Sequence, residues 1–369
     1  MRIGELSTPC ALVDLDQVEK NTRWMSERAH ELGVRLRPHV KTHKCLEAAR
    51  LQVDGHFGGI TVSTLAEASY FAKGGFQDIT WAFPLPVGRV EEALEYSQNL
   101  ERFSVVVDHV DTVDVLERCA GRRGIPVRVF LKFDCGYGRA GVRLGDPLAL
   151  TLARRLSDSP WVDFRGVLAH AGHSYDCRSA DAILKIAEQE RESAVSFAEA
   201  LRGSGVEVPE VSVGSTPTMR LAEDLEGVTE IRPGNYVFFD WFQSMIGSCQ
   251  PEEIAFSVLA SVVGRYPERG SILLDAGALA LSKDVGVGEG SYGCLANPQD
   301  GHLWTGGRLT GLSQEHGKVQ WDSVESMPEI GDRVRILPNH SCLSAALHPV
   351  FYVVRGMQVV DTWRPCRGW

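Results

Sequence analysis

Short runs in which apolar and β-branched residues cluster recur along the first two-thirds of the chain. They fall at residues 34–39 (VRLRPH), 58–63 (GGITVS), 78–83 (DITWAF), 103–108 (FSVVVD), 127–134 (VRVFLKFD), 165–170 (RGVLAH), 210–214 (EVSVG) and 230–236 (EIRPGNY). Between them lie amphipathic segments such as TLAEASYFAKGG, RVEEALEYSQNL and DPLALTLARRLSD, with apolar residues at helical spacing. Eight strands alternating with helices predict an α/β fold, a (β/α)8 TIM-type barrel. An open doubly wound sheet is the competing arrangement. It would usually carry a GxGxxG after its first strand, and this chain has none there.

From about Met245 to Trp369 the pattern changes. AFSVLASVVGRY, GSILLDAGALAL and DRVRILPN are glycine-punctuated and show few helical periods, so they read as β structure. CALVDL, at residues 10–15, reads as one more strand, followed by a helix with Asp14 or Asp16 as its N-cap and Gly33 as its stop. A strand left over before the barrel should pair into the C-terminal sheet. The predicted domains are a barrel over 16–244 and a C-terminal β domain formed by 1–15 plus 245–369.

A chain of 369 residues has room for both. Its formal net charge of -10 argues against nucleic acid or an anionic membrane as the main partner, because both require clustered Lys and Arg. The opening MRIGELSTPC has no apolar signal core, and no apolar run approaches the roughly 20 residues of a membrane span. A cytoplasmic location is expected. The nine cysteines form no CxxC pair, which suits reduced thiols better than a disulfide framework.

In such a barrel the reactive groups gather at the C-terminal ends of the strands, and phosphate often binds after strands 7 and 8. Lys41 follows the first strand, flanked by His39 and His43. A solvated basic turn is the ordinary reading of an isolated lysine. After strand 7 comes GSTPT, with Ser215 and Thr216, and after strand 8 comes RPGNY, with Gly234 and Asn235. Two glycine turns in those places can aim backbone N–H groups at a phosphate. A phosphate cradle opposite a lone lysine points to pyridoxal phosphate bound through that lysine. A phosphorylated sugar acted on by a Schiff-base lysine gives a similar outline.

The motifs TPCALVDLD, RPHVKTHK, DCGYGRAGV, AGHSY, SVGSTPT, EIRPGNYVFFD, LDAGALALSKD, SQEHG and PNHSC resemble, in order, those of one family. It is the D-serine dehydratase and D-threonine aldolase family of alanine-racemase-like, fold-type III pyridoxal-phosphate enzymes, and the resemblance runs from about residue 7 to residue 369. It implies a cofactor-bearing barrel, a β domain, a homodimer and a divalent metal. Lys41 matches the Schiff-base lysine, and Lys44 reads as a surface charge at a helix start. Arg139 matches the arginine facing the cofactor ring. An arginine keeps its proton, so the ring is a weak electron sink and a second catalyst must share the load. His170 and Tyr175 fall where the family packs aromatic or imidazole groups against the cofactor, although several relatives carry Tyr in place of His170.

His340 and Cys342 fall where the family binds its metal. On an extended segment alternate residues, such as these two, face the same side, and imidazole with thiolate favours zinc, with manganese as another divalent metal. A Lewis acid at the substrate's β-hydroxyl serves two reactions. Loss of hydroxide after Lys41 takes the Cα proton converts D-serine into pyruvate and ammonia. Removal of the hydroxyl proton instead cleaves Cα–Cβ to glycine and an aldehyde. The dehydratase side of the family resembles HxC and the aldolases more often HxD, so Cys342 favours a D-serine dehydratase-type lyase over a D-threonine aldolase. An amino-acid racemase would need a second base, usually a tyrosine from the β domain, for which no motif is present. A non-catalytic pyridoxal-phosphate carrier would not need the metal pair.

Overall fold

The computed structural model describes residues 1–287 and 291–369. Two compact units divide the chain. One comprises Met25–Lys41, Ala49–Gly234 and Cys366–Trp369, and the other Met1–Trp24, Thr42–Ala48 and Asn235–Pro365.

The second unit contains the first strand, β1 (Cys10–Asp14), and the first unit contains the next eight. These are β2 (Arg35–Leu36), β3 (Ile60–Val62), β4 (Asp78–Pro84), β5 (Arg102–Val107), β6 (Val127–Lys132), β7 (Val162–Leu168), β8 (Glu210–Val213) and β9 (Glu230–Ile231). All pair in parallel, in the order β2-β9-β8-β7-β6-β5-β4-β3. The ring closes where His39 bridges Thr61, with Val40 N donating to Thr61 O at 3.0 Å and Thr61 N to Pro38 O at 2.9 Å. The fold is the predicted (β/α)8 barrel with a separate β domain. β2 and β9 are shorter than the runs at 34–39 and 230–236, because Pro38 and Pro233 supply no N–H to a ladder. Single bonds carry the pairing past them, as from His39 N to Pro233 O at 2.9 Å.

The intervening helices bury one stripe each, as Ala149, Leu152, Ala153 and Leu156 do on the helix Pro147–Asp158. Thr64, Asp146 and Ser179 cap helix starts with their side chains, and Gly124, at φ 66°, ends the helix before it. Asp14 supplies the cap foreseen for the first helix, its Oδ1 accepting from Gln17 N at 3.1 Å. The long helix Ala180–Gly203 buries Ile183, Ala187, Ala194 and Phe197, and in the middle of that stripe it buries Glu190.

The second unit is built on a sheet in which β1 lies between β10 (Phe256–Tyr266), antiparallel, and β16 (Phe351–Arg355), parallel. β10 also pairs with β11 (Ser271–Leu274) and β15 (Arg333–Pro338), and β15 with β12 (Gly293–Ala296). β13 (Gly307–Leu312), β14 (Gly317–Trp321) and β17 (Gln358–Trp363) complete it. The strand read at residues 10–15 thus joins the C-terminal strands, as its apolar run requires. Among the described residues no helix is long and apolar enough to cross a membrane.

Candidate active site

The barrel strands deliver three cations to one neighbourhood. Lys41 is exposed just beyond β2, Lys132 is buried at the end of β6, and Arg139 is exposed on the loop that follows. Burial first, then the charges of Lys41, Lys132 and Arg139, drive the pKa of His170 well below the usual histidine value. His170 therefore stays neutral. Its Nδ1 lies 3.3 Å from Gly214 O, and a carbonyl only accepts, so Nδ1 carries the proton and Nε2 is left as an acceptor. Lys132 is pushed down to about 7, first by burial and then by Arg232 and Arg139.

Tyr137 ties the same loops together. The Arg139 guanidinium lies 5.1 Å from its ring centre, and the rings of His170 and His173 lie 6.2 and 6.1 Å from it. Both ring nitrogens of His173 are buried without a hydrogen-bond partner among the described residues. Tyr175 sits in the short turn Gly172–Asp176, its carbonyl accepting from Arg178.

The two glycine turns are held tightly. Gly214 has φ 113°, and a Cβ on Gly234 would come 2.6 Å from His39 O, so that turn lies directly against the strand leading to Lys41. Ser215 caps the turn of helix that begins at Thr216 and pairs with Ser174 Oγ at 2.9 Å. Beneath them, Glu190 accepts from Ala171 N at 2.8 Å, Gly214 N at 3.0 Å and Thr218 Oγ1 at 2.9 Å. Sequence reading missed Glu190, Lys132 and Tyr137. Glu190 did carry a signal: a carboxylate inside an apolar helical stripe.

In the other unit, His340 is the N-cap of the helix Ser341–Leu347 and Cys342 lies in its first turn. The pair spans a strand-to-helix junction after β15, rather than the extended segment expected from the spacing. His340 Nδ1 lies 2.5 Å from Asp284 Oδ2. Burial alone would lower its pKa, but hydrogen bonds to Asp284 and Cys342 push it up to about 11. Cys342 Sγ lies 3.2 Å from Thr42 Oγ1 and 3.6 Å from Asn235 Nδ2. The Asn235 amide also donates to Asp240 and to Ser341 Oγ, both at 2.9 Å, so this side chain serves the Cys342 cluster. Only the backbone of Asn235 is left for an anion. Its Oδ1 is buried with no donor among the described residues. No group of three or more His, Cys, Asp or Glu is arranged around a common ion position among the described residues.

Residues 13–240 match the family model of the alanine racemase N-terminal domain, and 255–354 that of the serine dehydratase domain. A D-threo-3-hydroxyaspartate dehydratase of Delftia sp. strain HT23 is 39% identical over 99% of this chain and 98% of its own. A solved Cys-to-Ala variant of a D-threo-3-hydroxyaspartate dehydratase, in the metal-free form, is 38% identical and covers 100% of both chains at a TM-score of 0.94. A D-serine dehydratase of Dictyostelium discoideum is 36% identical over 100% of this chain and 98% of its own. A D-threonine aldolase of Arthrobacter sp. is 30% identical over 98% and 92%. The architecture is alanine-racemase-like. The chain belongs to the D-serine dehydratase and D-threonine aldolase family, a family of lyases.

Removing the Glu190 carboxylate strands two backbone donors, Ala171 N and Gly214 N. Glu190→Ala should therefore lower the unfolding free energy by about 3–5 kcal/mol in urea titrations. Glu190→Gln, which keeps an acceptor, should lose less than half of that. Equal losses would show that the amide bonds contribute nothing.

Proposed function

We propose that the chain is a pyridoxal-phosphate- and metal-dependent lyase of D-3-hydroxy amino acids, working by D-serine dehydratase-type β-elimination to a 2-oxo acid and ammonia. The observation that carries this reading is the His340–Cys342 pair, its sulfur contacted by Thr42 and Asn235, in a chain whose residues 255–354 match the serine dehydratase domain.

The residues present fit both groups. Lys41 is an exposed amine beyond β2, and a Cβ would press on Met219 and Arg232 N at Gly214 and on His39 at Gly234, so both turns need glycine. The unpartnered nitrogens of His173 remain beside Tyr137 as further polar contacts. A divalent ion would have to displace the His340 proton, and His340 and Cys342 would then offer a borderline-soft donor pair that suits zinc, or another ion such as manganese. When bound, pyridoxal phosphate supplies an electron sink at the substrate's Cα and the metal a Lewis acid for a hydroxyl.

The chain's own residues do the rest. Lys41 carries the cofactor, and its amine takes the Cα proton from one face, which selects the D enantiomer. Ser215, Thr216, Gly234 and the backbone of Asn235 hold the phosphate. Arg139 orients the ring from the loop after β6. His170, neutral and fixed through Nδ1, and Tyr175 pack against the cofactor. The Thr42 hydroxyl lies against the Cys342 sulfur and the Asn235 amide donates to it. A homodimer in the cytoplasm completes the proposal.

D-threonine aldolase activity is the second reading, supported by the Arthrobacter relative. A racemase is disfavoured, since the racemase model matches only 13–240 and a dehydratase domain follows.

Borohydride treatment of the yellow holoprotein should fix the cofactor to the peptide containing Lys41, and Lys41→Ala should abolish the label. A label that persists in the variant would place the cofactor on another lysine.

Gly234→Val should weaken cofactor affinity by more than about tenfold, because its side chain would meet His39 O. Unchanged affinity, measured by fluorescence titration of the apoprotein, would move the phosphate elsewhere.

Chelation, or Cys342→Ala, should abolish 2-oxo acid formation from D-serine and D-threo-3-hydroxyaspartate while the bound cofactor keeps its colour. Full activity after metal removal would make the ion structural. Faster release of glycine from D-threonine than of pyruvate from D-serine would favour the aldolase.

A further inference from the structure

At the end of the barrel away from Lys41, where the strands begin, a cavity of about 290 Å³ is lined by five arginines: Arg35, Arg37, Arg102, Arg128 and Arg165. The carboxylates within reach are Asp78, Asp163, Glu210 and Glu230. Five guanidinium groups against four carboxylates leave one positive charge uncompensated.

The pairing is also uneven. Arg37 is fully committed, with Nε 2.7 Å from Glu230 and Nη1 2.5 Å from Asp78. Glu210 is divided among Arg35 at 2.5 Å, Arg165 at 2.6 Å and Arg128 at 3.8 Å. Among the described residues Arg102 reaches only Asp78, at 3.5 Å. Arg128 bonds Asp163 through Nη1 at 3.2 Å, and its Nε is buried with no partner among the described residues. Burial and then the neighbouring charge of Arg165 lower the pKa of Arg128. At the rim, the guanidinium groups of Arg35 and Arg37 lie 5.3 and 4.9 Å from the Phe57 ring centre. Any side chain at Gly59 would collide with that ring and with Arg37.

Charge at this end of a barrel ordinarily serves stability. A network with that purpose alone closes its donors and balances its charge, because each buried open donor costs about 1–3 kcal/mol. Here the buried open donor is Arg128 Nε, beside the half-exposed guanidinium of Arg102, and both arginines line the cavity. Planar N–H forks match oxyanion geometry.

We propose that this cavity binds a small polyvalent oxyanion, a phosphate or a dicarboxylate, held by Arg102 and Arg128 with Arg35 and Arg165 at its sides. The anion supplies the missing negative charge and the missing acceptors, and it links the starts of β5 and β6. General attraction does not explain such binding, since the chain carries a net charge of -10.

The test is isothermal titration of the purified holoprotein with inorganic phosphate, and separately with succinate, at constant ionic strength in chloride. Using the holoprotein keeps the cofactor's own phosphate in the other anion site. Saturable binding of one anion per chain, with a matching rise in melting temperature, is the expected result. The probe that binds more tightly identifies the source. Arg128→Gln and Arg102→Gln should each weaken binding about tenfold and leave lyase activity unchanged. If Arg128→Gln does not fold, Arg102→Gln, whose side chain is 53% exposed, carries the test alone. No saturable heat with either anion, or affinity unchanged in the folded variants, would overturn the proposal.

Discussion

A buried carboxylate must find donors, and the donors available to Glu190 shape the barrel mouth. It projects from the apolar stripe of the helix Ala180–Gly203 and is satisfied by two backbone amides and a hydroxyl. Ala171 N lies just beyond β7, Gly214 N just beyond β8, and Thr218 inside the turn that Ser215 caps. One side chain thereby fixes where two strands exit. His170 precedes Ala171 and bonds the Gly214 carbonyl, so its tautomer depends on the same clamp. The phosphate-binding role proposed for Ser215 and Thr216 depends on it too.

The sequence made most of this frame legible, for physical reasons. Parallel strands covered on both faces are rich in apolar and β-branched residues, so all eight could be picked out as runs even though their first residues include Arg35, Asp78, Arg102, Glu210 and Glu230. Their limits were less legible at β2 and β9, where Pro38 and Pro233 end the ladder while the chain stays extended. Glycine turns after strands 7 and 8 could be read as backbone donors. The destination of the Asn235 side chain could not, because its partner Ser341 lies 106 residues further along the chain. The HxC spacing was legible, but its geometry was not. An N-cap followed by a first helical turn brings His340 and Cys342 together as an extended segment would.

The Cys342 cluster follows its own logic. Asp240, buried and held above the usual carboxylate range chiefly by burial, accepts from Ser341 N, Gln243 N and the Asn235 amide. It thus orients the amide whose same nitrogen lies 3.6 Å from the sulfur. Donors at a thiolate stabilise its charge and draw electron density away from a bound metal, which makes the metal a stronger Lewis acid. In the proposed metal site, a carboxylate in the place of Cys342 would be a harder ligand, with two oxygens competing for the same donors. The HxC pair and its surroundings therefore have to be considered as one unit.

The two ends of the barrel resolve crowded positive charge in different ways, and side-chain chemistry dictates which. At the mouth, burial first and then the charges of Arg232 and Arg139 push the Lys132 amine down to about 7, so this cation can shed its proton near neutral pH. A guanidinium has no such outlet. At the other end the arginines must be matched by carboxylates, and Asp78, Asp163, Glu210 and Glu230 are drawn in to do it. The arginine end needs counter-charges to fold, and it is one short.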